Sequence, residues 1–473
     1  MSKTLGDFNW QVDIDTRVRN MKELLNTTGS GFCLAKFKQV TMHLALGKVH
    51  SCHHPSAHKI DPTLIESDPS LLFNTPVLKT ARKQMLNGDR PSECNYCWRI
   101  EDSDKNNISD RHLKSAETWA HSDHDVISKF TGDETIYPSY LEVSFNNACN
   151  LKCMYCGPQF SSKWAEEIKN NGQIRLLNKT GHDFVHNYFH ESQVIKNRDY
   201  NPYTEAFWKW WPELYKHLQV FRITGGEPLM SKDTFRSLDW FIANPSPNLE
   251  LCINSNFSVE NSLWEKFIDK ITTLQSSGNV KSITIYTSVE AWDDRAAYIR
   301  TGLDFELLLD RIDECLSKGI RVDIMAAFNI LSMSSYKTLL EWVLTRKKIY
   351  NVNRTLIAID TAYVRGPDHL DAIHSTSDLF KYLKNAMDYV KDNLASDGFH
   401  TYEYEKVARI YSALINRKVT NSDKIRCRAK FFDYINQLDT RNKTDFISIF
   451  PEYSKYYRTA KKARKRYKDK NKQ

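Results

Sequence analysis

The chain has 473 residues, 41% hydrophobic and 12% aromatic, enough for two or three domains with a sizeable core, which excludes a disordered or low-complexity class. No apolar run of about 18 residues occurs and the first twenty residues contain no apolar leader segment, so membrane spanning and export are not expected and the cytoplasm is. The net charge of +8 is uneven: Lys455 to Gln473 holds ten Lys or Arg against one Asp, leaving a nearly neutral body.

Ten cysteines without an export signal read as metal ligands or free thiols rather than disulfides. In chain order, an apolar segment from Val40 to Leu46, a turn at Gly47-Lys48 and then Val49 predict a hairpin with Cys33 and Cys52 near its ends. A helical pattern follows, with Val77, Leu78, Ala81, Met85 and Leu86 at helical spacing and Gly88 as its stop. Cys94 and Cys97 come next. Cys33, Cys52, Cys94 and Cys97 supply the four thiolates of a closed tetrahedral site, which suit zinc or a 4Fe-4S cluster equally. His50, His53 and His54 flank Cys52 and could substitute as ligands, although a polar turn rich in His accounts for them more simply. Residues 103–132 are polar and read as a connection.

Leu141, Val143 and Phe145 alternate with Glu142 and Ser144, predicting a strand that ends at Asn146-Asn147. Cys149, Cys153 and Cys156 then fall within eight residues in a C-x3-C-x2-C array. Three thiols leave one coordination position open for a substrate or cofactor; the plainer alternatives are a zinc knuckle or three buried thiols. The segment Gln159 to His217 exceeds what a crossover needs. It carries Trp164, Tyr188, Phe189, Tyr200, Tyr203, Phe207, Trp208, Trp210 and Trp211, read as core packing with a substrate-contacting cap as the alternative. A strand from Val220 to Thr224 leads into Gly225-Gly226-Glu227-Pro228, where a glycine turn lets a ligand approach the backbone and the Glu offers a charge for an ammonium.

Further strands are expected at Leu249–Phe257, Ser282–Val289, Arg321–Leu331 and Thr355–Arg365, with helices around Leu303–Ser317 and Tyr336–Lys347. The alternation indicates a parallel sheet with right-handed crossovers, whose sites lie at the strands' C-terminal ends. Cys252, Cys315 and Cys427 read as buried small hydrophobes. From Ser377 the pattern is helical, and the basic tail, with little to bury, is expected to be disordered or a solvated helix.

The cysteine loop, with Tyr155 before its last cysteine and a Gly-Gly-Glu-Pro about seventy residues later, resembles the radical S-adenosylmethionine (SAM) enzymes. That resemblance implies an α/β fold built as an open (β/α)6 partial barrel. Cys149, Cys153 and Cys156 would hold three irons of a 4Fe-4S cluster whose fourth iron binds the SAM amino and carboxylate groups. Tyr155, Gly225, Gly226 and Glu227 would contact SAM, with Glu227 at its amino group. Ser255 and Asn256 stand where relatives often carry Thr-Asn-Gly; Phe257 replaces the Gly, which puts a tight turn there in question. Ser288 and Glu290 match the ribose-hydroxyl positions and Arg300 the SAM carboxylate.

The four N-terminal cysteines resemble a twitch module, a shortened relative of SPASM that holds an auxiliary cluster, here placed before the core; a second 4Fe-4S cluster is expected over zinc. The implied domains are 1–135 (auxiliary module), 136–370 (radical SAM core), 371–454 (helical extension) and 455–473 (basic tail). The family reaction is reductive cleavage of SAM to a 5′-deoxyadenosyl radical that takes a hydrogen atom from a substrate, fed by a reductant such as a flavodoxin or ferredoxin. A peptide or small-molecule substrate is expected, with RNA as the alternative suggested by the tail, and a non-enzymatic electron-transfer protein as a third reading.

Overall fold

The computed structural model describes residues 3–176 and 194–470. Its centre is a nine-stranded sheet built from β1 (Gln39–His43), β2 (Lys48–His50), β3 (His58–Lys59), β4 (Tyr140–Ser144), β6 (Val220–Thr224), β7 (Ser246–Asn254), β8 (Val280–Thr287), β10 (Arg321–Phe328) and β11 (Ile357–Tyr363), ordered β11-β10-β8-β7-β6-β4-β1-β2-β3. Two short strands outside it, β5 (Lys152–Cys153) and β9 (Arg300–Thr301), pair with each other. From β1 through β4 to β11 every neighbouring pair is parallel, so each connection needs a crossover. Helices Lys232–Ala243, Asn261–Ser277, Phe305–Ser317 and Tyr336–Tyr350 supply four of these.

Alternation within the strands sets the two faces. Leu141, Val143, Phe221, Ile223, Leu251, Ile253, Ile285, Val322 and Ile324 are buried in the apolar core, whereas Glu142, Arg222, Asn254, Tyr286 and Asp323 occupy the alternate positions and stay partly accessible. The first is the face that the helices cover.

The predicted hairpin is present, with Met42 opposite Val49, but it is not a sheet of its own. Val40 pairs with Leu141, so the N-terminal segment extends the core sheet and shares its apolar cluster. Gly47 turns the hairpin at φ +58°, and a Cβ there would strike the Tyr203 ring. The tyrosine comes from helix Pro202–Leu214, whose aromatic residues are buried, as core packing requires. Of the aromatics expected to pack there, Tyr200 is exposed instead, and Tyr188 and Phe189 lie outside the described residues.

β11 is an edge strand whose free backbone is covered from the C-terminal half. The Ile359 N–H donates to the Glu403 carboxylate at 3.0 Å, and Glu403 pairs with Lys347 at 2.9 Å, both side chains buried. Helices Phe380–Asp392, Thr401–Asn416 and Asn421–Asn442 follow.

The tail is not disordered: it forms a helix, Ser454–Lys470. Tyr456, Ala460 and Ala463 are spaced four and three apart, and this one face is buried against Asn421–Asn442. Tyr456 packs on Phe431 with ring centroids 5.0 Å apart, and Arg464 pairs with Asp433. Composition concealed a narrow apolar stripe between basic residues. Among the described residues, no helix is long and apolar enough to cross a membrane.

Candidate functional site

The cysteine loop leaves the C-terminal end of β4 and is held from all sides by polar contacts. Asn146 Oδ1 accepts from the Ala148 N–H at 2.9 Å, the Ser162 hydroxyl accepts from the Cys149 N–H at 3.1 Å, and Trp164 Nε1 donates to the Cys153 carbonyl at 2.9 Å. Cys153 sits in β5, paired with Arg300 in β9. Burial pushes the Cys149 thiol up to about 12 and raises Cys153 and Cys156 as well, so bare thiols here keep their protons and a thiolate needs a nearby positive charge. Arg300 supplies part of it, with Nη1 donating to Cys153 Sγ at 3.5 Å.

Cys149, Cys153, Cys156, Tyr155, Gly225, Gly226, Ser255, Asn256, Ser288 and Arg300 line one cavity of about 330 Å³, together with Met325 and Ala327 of β10 and Ala362 of β11. A flat sheet would hold β6 and β11 about 19 Å apart, four spacings of about 4.8 Å. The sheet therefore curls around this space.

Glu227 is placed differently from the expectation. It is 1% exposed and does not line the cavity. Its carboxylate accepts from the Leu229 N–H at 3.0 Å, the Ser255 hydroxyl at 2.9 Å and the Asn256 N–H at 2.7 Å. The side chain thus ties the end of β6 to the end of β7, and burial pushes its carboxyl up to about 7. The glycines before it line the cavity and also admit close neighbours on their other side: a Cβ at Gly226 would stand 2.3 Å from the Ala148 carbonyl oxygen of the cysteine loop, and one at Gly225 2.5 Å from Ser144 Oγ at the end of β4. The Glu227 N–H donates to the Ala148 carbonyl at 2.7 Å.

Glu290 also lies behind the cavity wall, fully buried. Its Oε2 accepts from Arg300 Nε at 3.0 Å and Nη2 at 2.8 Å, and Arg300 Nη2 contacts the Tyr155 hydroxyl. Burial raises the Glu290 carboxyl although Arg300 pulls it down. Oε1 has no hydrogen-bond partner, an orphaned acceptor of the kind a ligand hydroxyl satisfies.

The turn left open at Phe257 is made. Phe257 takes φ +56°, its buried ring packs on Trp264 at 4.8 Å, and its carbonyl accepts from Arg311 Nη1 at 2.7 Å.

Cys33, Cys52, Cys94 and Cys97 meet at a second cavity, with Lys36, His53, His54 and Trp98. The Lys36 ammonium pairs with Glu93 and faces Cys94 and Cys52. Burial pushes Cys52 and Cys97 up to about 12 and Cys94 to about 11. His54 Nε2 donates to Asp110 Oδ2 at 2.6 Å, and the ring stacks on Tyr96, while His50 Nδ1 contacts the Cys52 carbonyl. Cys252, Cys315 and Cys427 are buried away from both sets.

Two contributions escaped the sequence reading. Tyr434, from the helical extension, donates to the Met154 carbonyl at 2.6 Å and braces the cysteine loop from behind; nothing local marks it. Arg222 stacks on Tyr286 at 4.2 Å, donates to Asn254 at 3.0 Å and faces Glu142 at 3.9 Å. Polar residues at alternate positions of otherwise apolar strands were the available signal.

No family model matches the chain. A GTP 3′,8-cyclase from Sulfurimonas denitrificans is 23% identical to it over 191 residues, which are 39% of this chain and 45% of that protein. The chain thus matches less than half the length of that curated relative. That distant similarity agrees with the general resemblance of the cysteine loop to radical SAM enzymes.

Proposed function

We propose that the chain is a radical SAM enzyme in which Cys149, Cys153 and Cys156 hold a 4Fe-4S cluster and SAM occupies the adjoining cavity. The observation that carries this is the convergence of three thiols, the polar ends of β6, β7 and β8, and Arg300 on one space of about 330 Å³. The donor set fits: three thiolates leave a fourth iron free for a ligand, and the unpartnered Oε1 of Glu290 offers an acceptor nearby. When bound, such a cluster would supply the one electron, drawn from an external reductant, that splits SAM into methionine and a carbon radical able to take a hydrogen atom from substrate.

The chain's own residues do the rest. Arg300 offsets thiolate charge at Cys153 and stands where it can grip a carboxylate. Glu227 sets the distance between Gly226 and Asn256, both on the cavity wall, rather than touching the ligand itself. Cys33, Cys52, Cys94 and Cys97 form a second cluster site in this reading. The four thiols share one cavity with Lys36, whose ammonium would offset part of the thiolate charge of either a four-iron cluster or a zinc ion.

Anaerobic reconstitution should give about eight irons, and Cys153→Ala should remove about half. With a strong reductant the wild-type protein should release 5′-deoxyadenosine from SAM and Cys153→Ala should not. Wild-type protein that leaves SAM intact would return the chain to the electron-transfer reading. The substrate is a peptide or small molecule, and the reductant a low-potential carrier such as a flavodoxin or ferredoxin. An RNA substrate is the second reading, favoured by Arg458, Lys461, Lys462, Lys465 and Arg466 on the exposed face of the docked tail helix.

A further inference from the structure

Beyond the end of β11 lies a third, open cavity of about 580 Å³, walled by the loop after that strand, the 417–420 connection and the start of helix Asn421–Asn442. Its carboxylates are already engaged. Asp368 accepts from Arg426 at 2.7 Å and faces Lys430 at 3.3 Å; Asp423 accepts from the Thr420 hydroxyl at 2.7 Å; Asp371 accepts from the Ile373 N–H at 3.0 Å and from the Tyr363 hydroxyl. Cations remain over. Arg417 reaches Asp371 only at 3.8 Å, and Arg365 and Lys418, both exposed, have no carboxylate within 4.0 Å among the described residues. Into the same cavity faces His374, 7% exposed, whose Nδ1 is buried without a partner.

We infer that this cavity is a binding site for a phosphate group, held by Arg365, Arg417, Lys418 and the His374 ring. Guanidinium forks match phosphate oxygens in pairs. Burial lowers the His374 imidazole below its usual value, so the neutral ring can carry its proton on Nε2, the nitrogen that is not sealed off, and donate it to a phosphate oxygen. The N-terminus of the long helix, capped by Thr420, adds the favourable end of its dipole.

The site adjoins the rest of the machinery. Ala362 of β11 lines the cysteine cavity and Arg365 follows it by three residues. Arg365 also acts electrostatically on Tyr96, which stacks on His54 beside the four N-terminal cysteines. Assigning the phosphate to the substrate rests on the radical SAM reading, whereas phosphate binding itself does not.

The test is calorimetric titration of the full chain with inorganic pyrophosphate and, separately, glutarate at about 0.15 M salt, where a Debye length of about 8 Å screens distant charge. Pyrophosphate should bind more tightly than glutarate. R417Q/K418Q should weaken it about tenfold or more, His374→Phe by a smaller factor, and K461Q/K462Q on the tail helix should leave it unchanged. No binding, equal losses in the two double variants, or glutarate binding as tightly as pyrophosphate would overturn the assignment. SAM binding by reconstituted protein, measured alongside, fails only if the radical SAM reading fails.

Discussion

Glu227 and Glu290 show how one residue type, buried twice, takes two roles. Glu227 makes no ion pair of the kind Glu290 has; burial outweighs its three donors and the more distant pull of Arg311, and its carboxyl sits at about 7 against an ordinary 4.5. The fold therefore keeps a proton that the unfolded chain has lost. This group favours folding most below about pH 4.5, and that advantage falls as pH rises to about 7, by on the order of 3 kcal/mol. Glu227→Gln should abolish this slope: urea unfolding at about pH 5 and pH 8 should show the variant gaining on wild type at the higher pH, and comparing the two cancels the fixed cost of the amide. Glu290 instead has Arg300. Arg300→Met leaves a buried carboxylate unpaired and should cost about 3–5 kcal/mol, much of it restored by adding Glu290→Gln. Phe257 is a third case. Its left-handed backbone costs about 1–2 kcal/mol, which burial of its ring offsets at about 1.5–3 kcal/mol; Phe257→Gly should therefore destabilise, despite relieving the strain.

At the scale of the elements, the cysteine loop is a clamp whose parts come from β6, β9 and a distant helix. Gly226→Ala would drive a methyl into the Ala148 carbonyl, and the loop must move. Iron content after reconstitution should fall while the helical signal in circular dichroism stays near wild type. Tyr434→Phe, which loses only the bond to Met154, should cost about 1 kcal/mol. The strands and the cysteine loop were legible because their signals are local: alternation, thiol spacing, paired glycines. What the glycines admit was not, because the neighbour that fills the space, Ala148, is seventy-eight residues away in sequence. Nor was Tyr434, one of 23 tyrosines, whose role depends on where a helix 280 residues beyond Met154 comes to rest.

For the molecule as a whole, the tail helix changes what a deletion means. A chain ending at Ser454 would lose charge, but it would also uncover the apolar face of Asn421–Asn442 that Tyr456 and Ala460 bury, and with it the helix that carries Tyr434. Such a chain should unfold at lower urea concentration and lose bound iron. Charge can be removed without that damage, because Arg458, Lys461, Lys462 and Lys465 are exposed. Replacing these four with Gln should leave thermal stability within a few degrees of wild type. If RNA is the substrate, the same change should flatten the fall in RNA affinity between about 50 and 200 mM salt; identical salt dependence in both proteins would remove the helix from substrate binding.

The pairing of β1 with β4 has a consequence for synthesis. Val40 leaves the ribosome about a hundred residues before Leu141, the residue it must sit beside; at about 5–20 residues per second, that is a wait of roughly 5–20 s. Throughout it, β1 presents an apolar strand with one edge bare, a template for aggregation. Residues 1–135 expressed alone should therefore precipitate or require a chaperone, and co-expression of residues 136–473 should rescue their solubility.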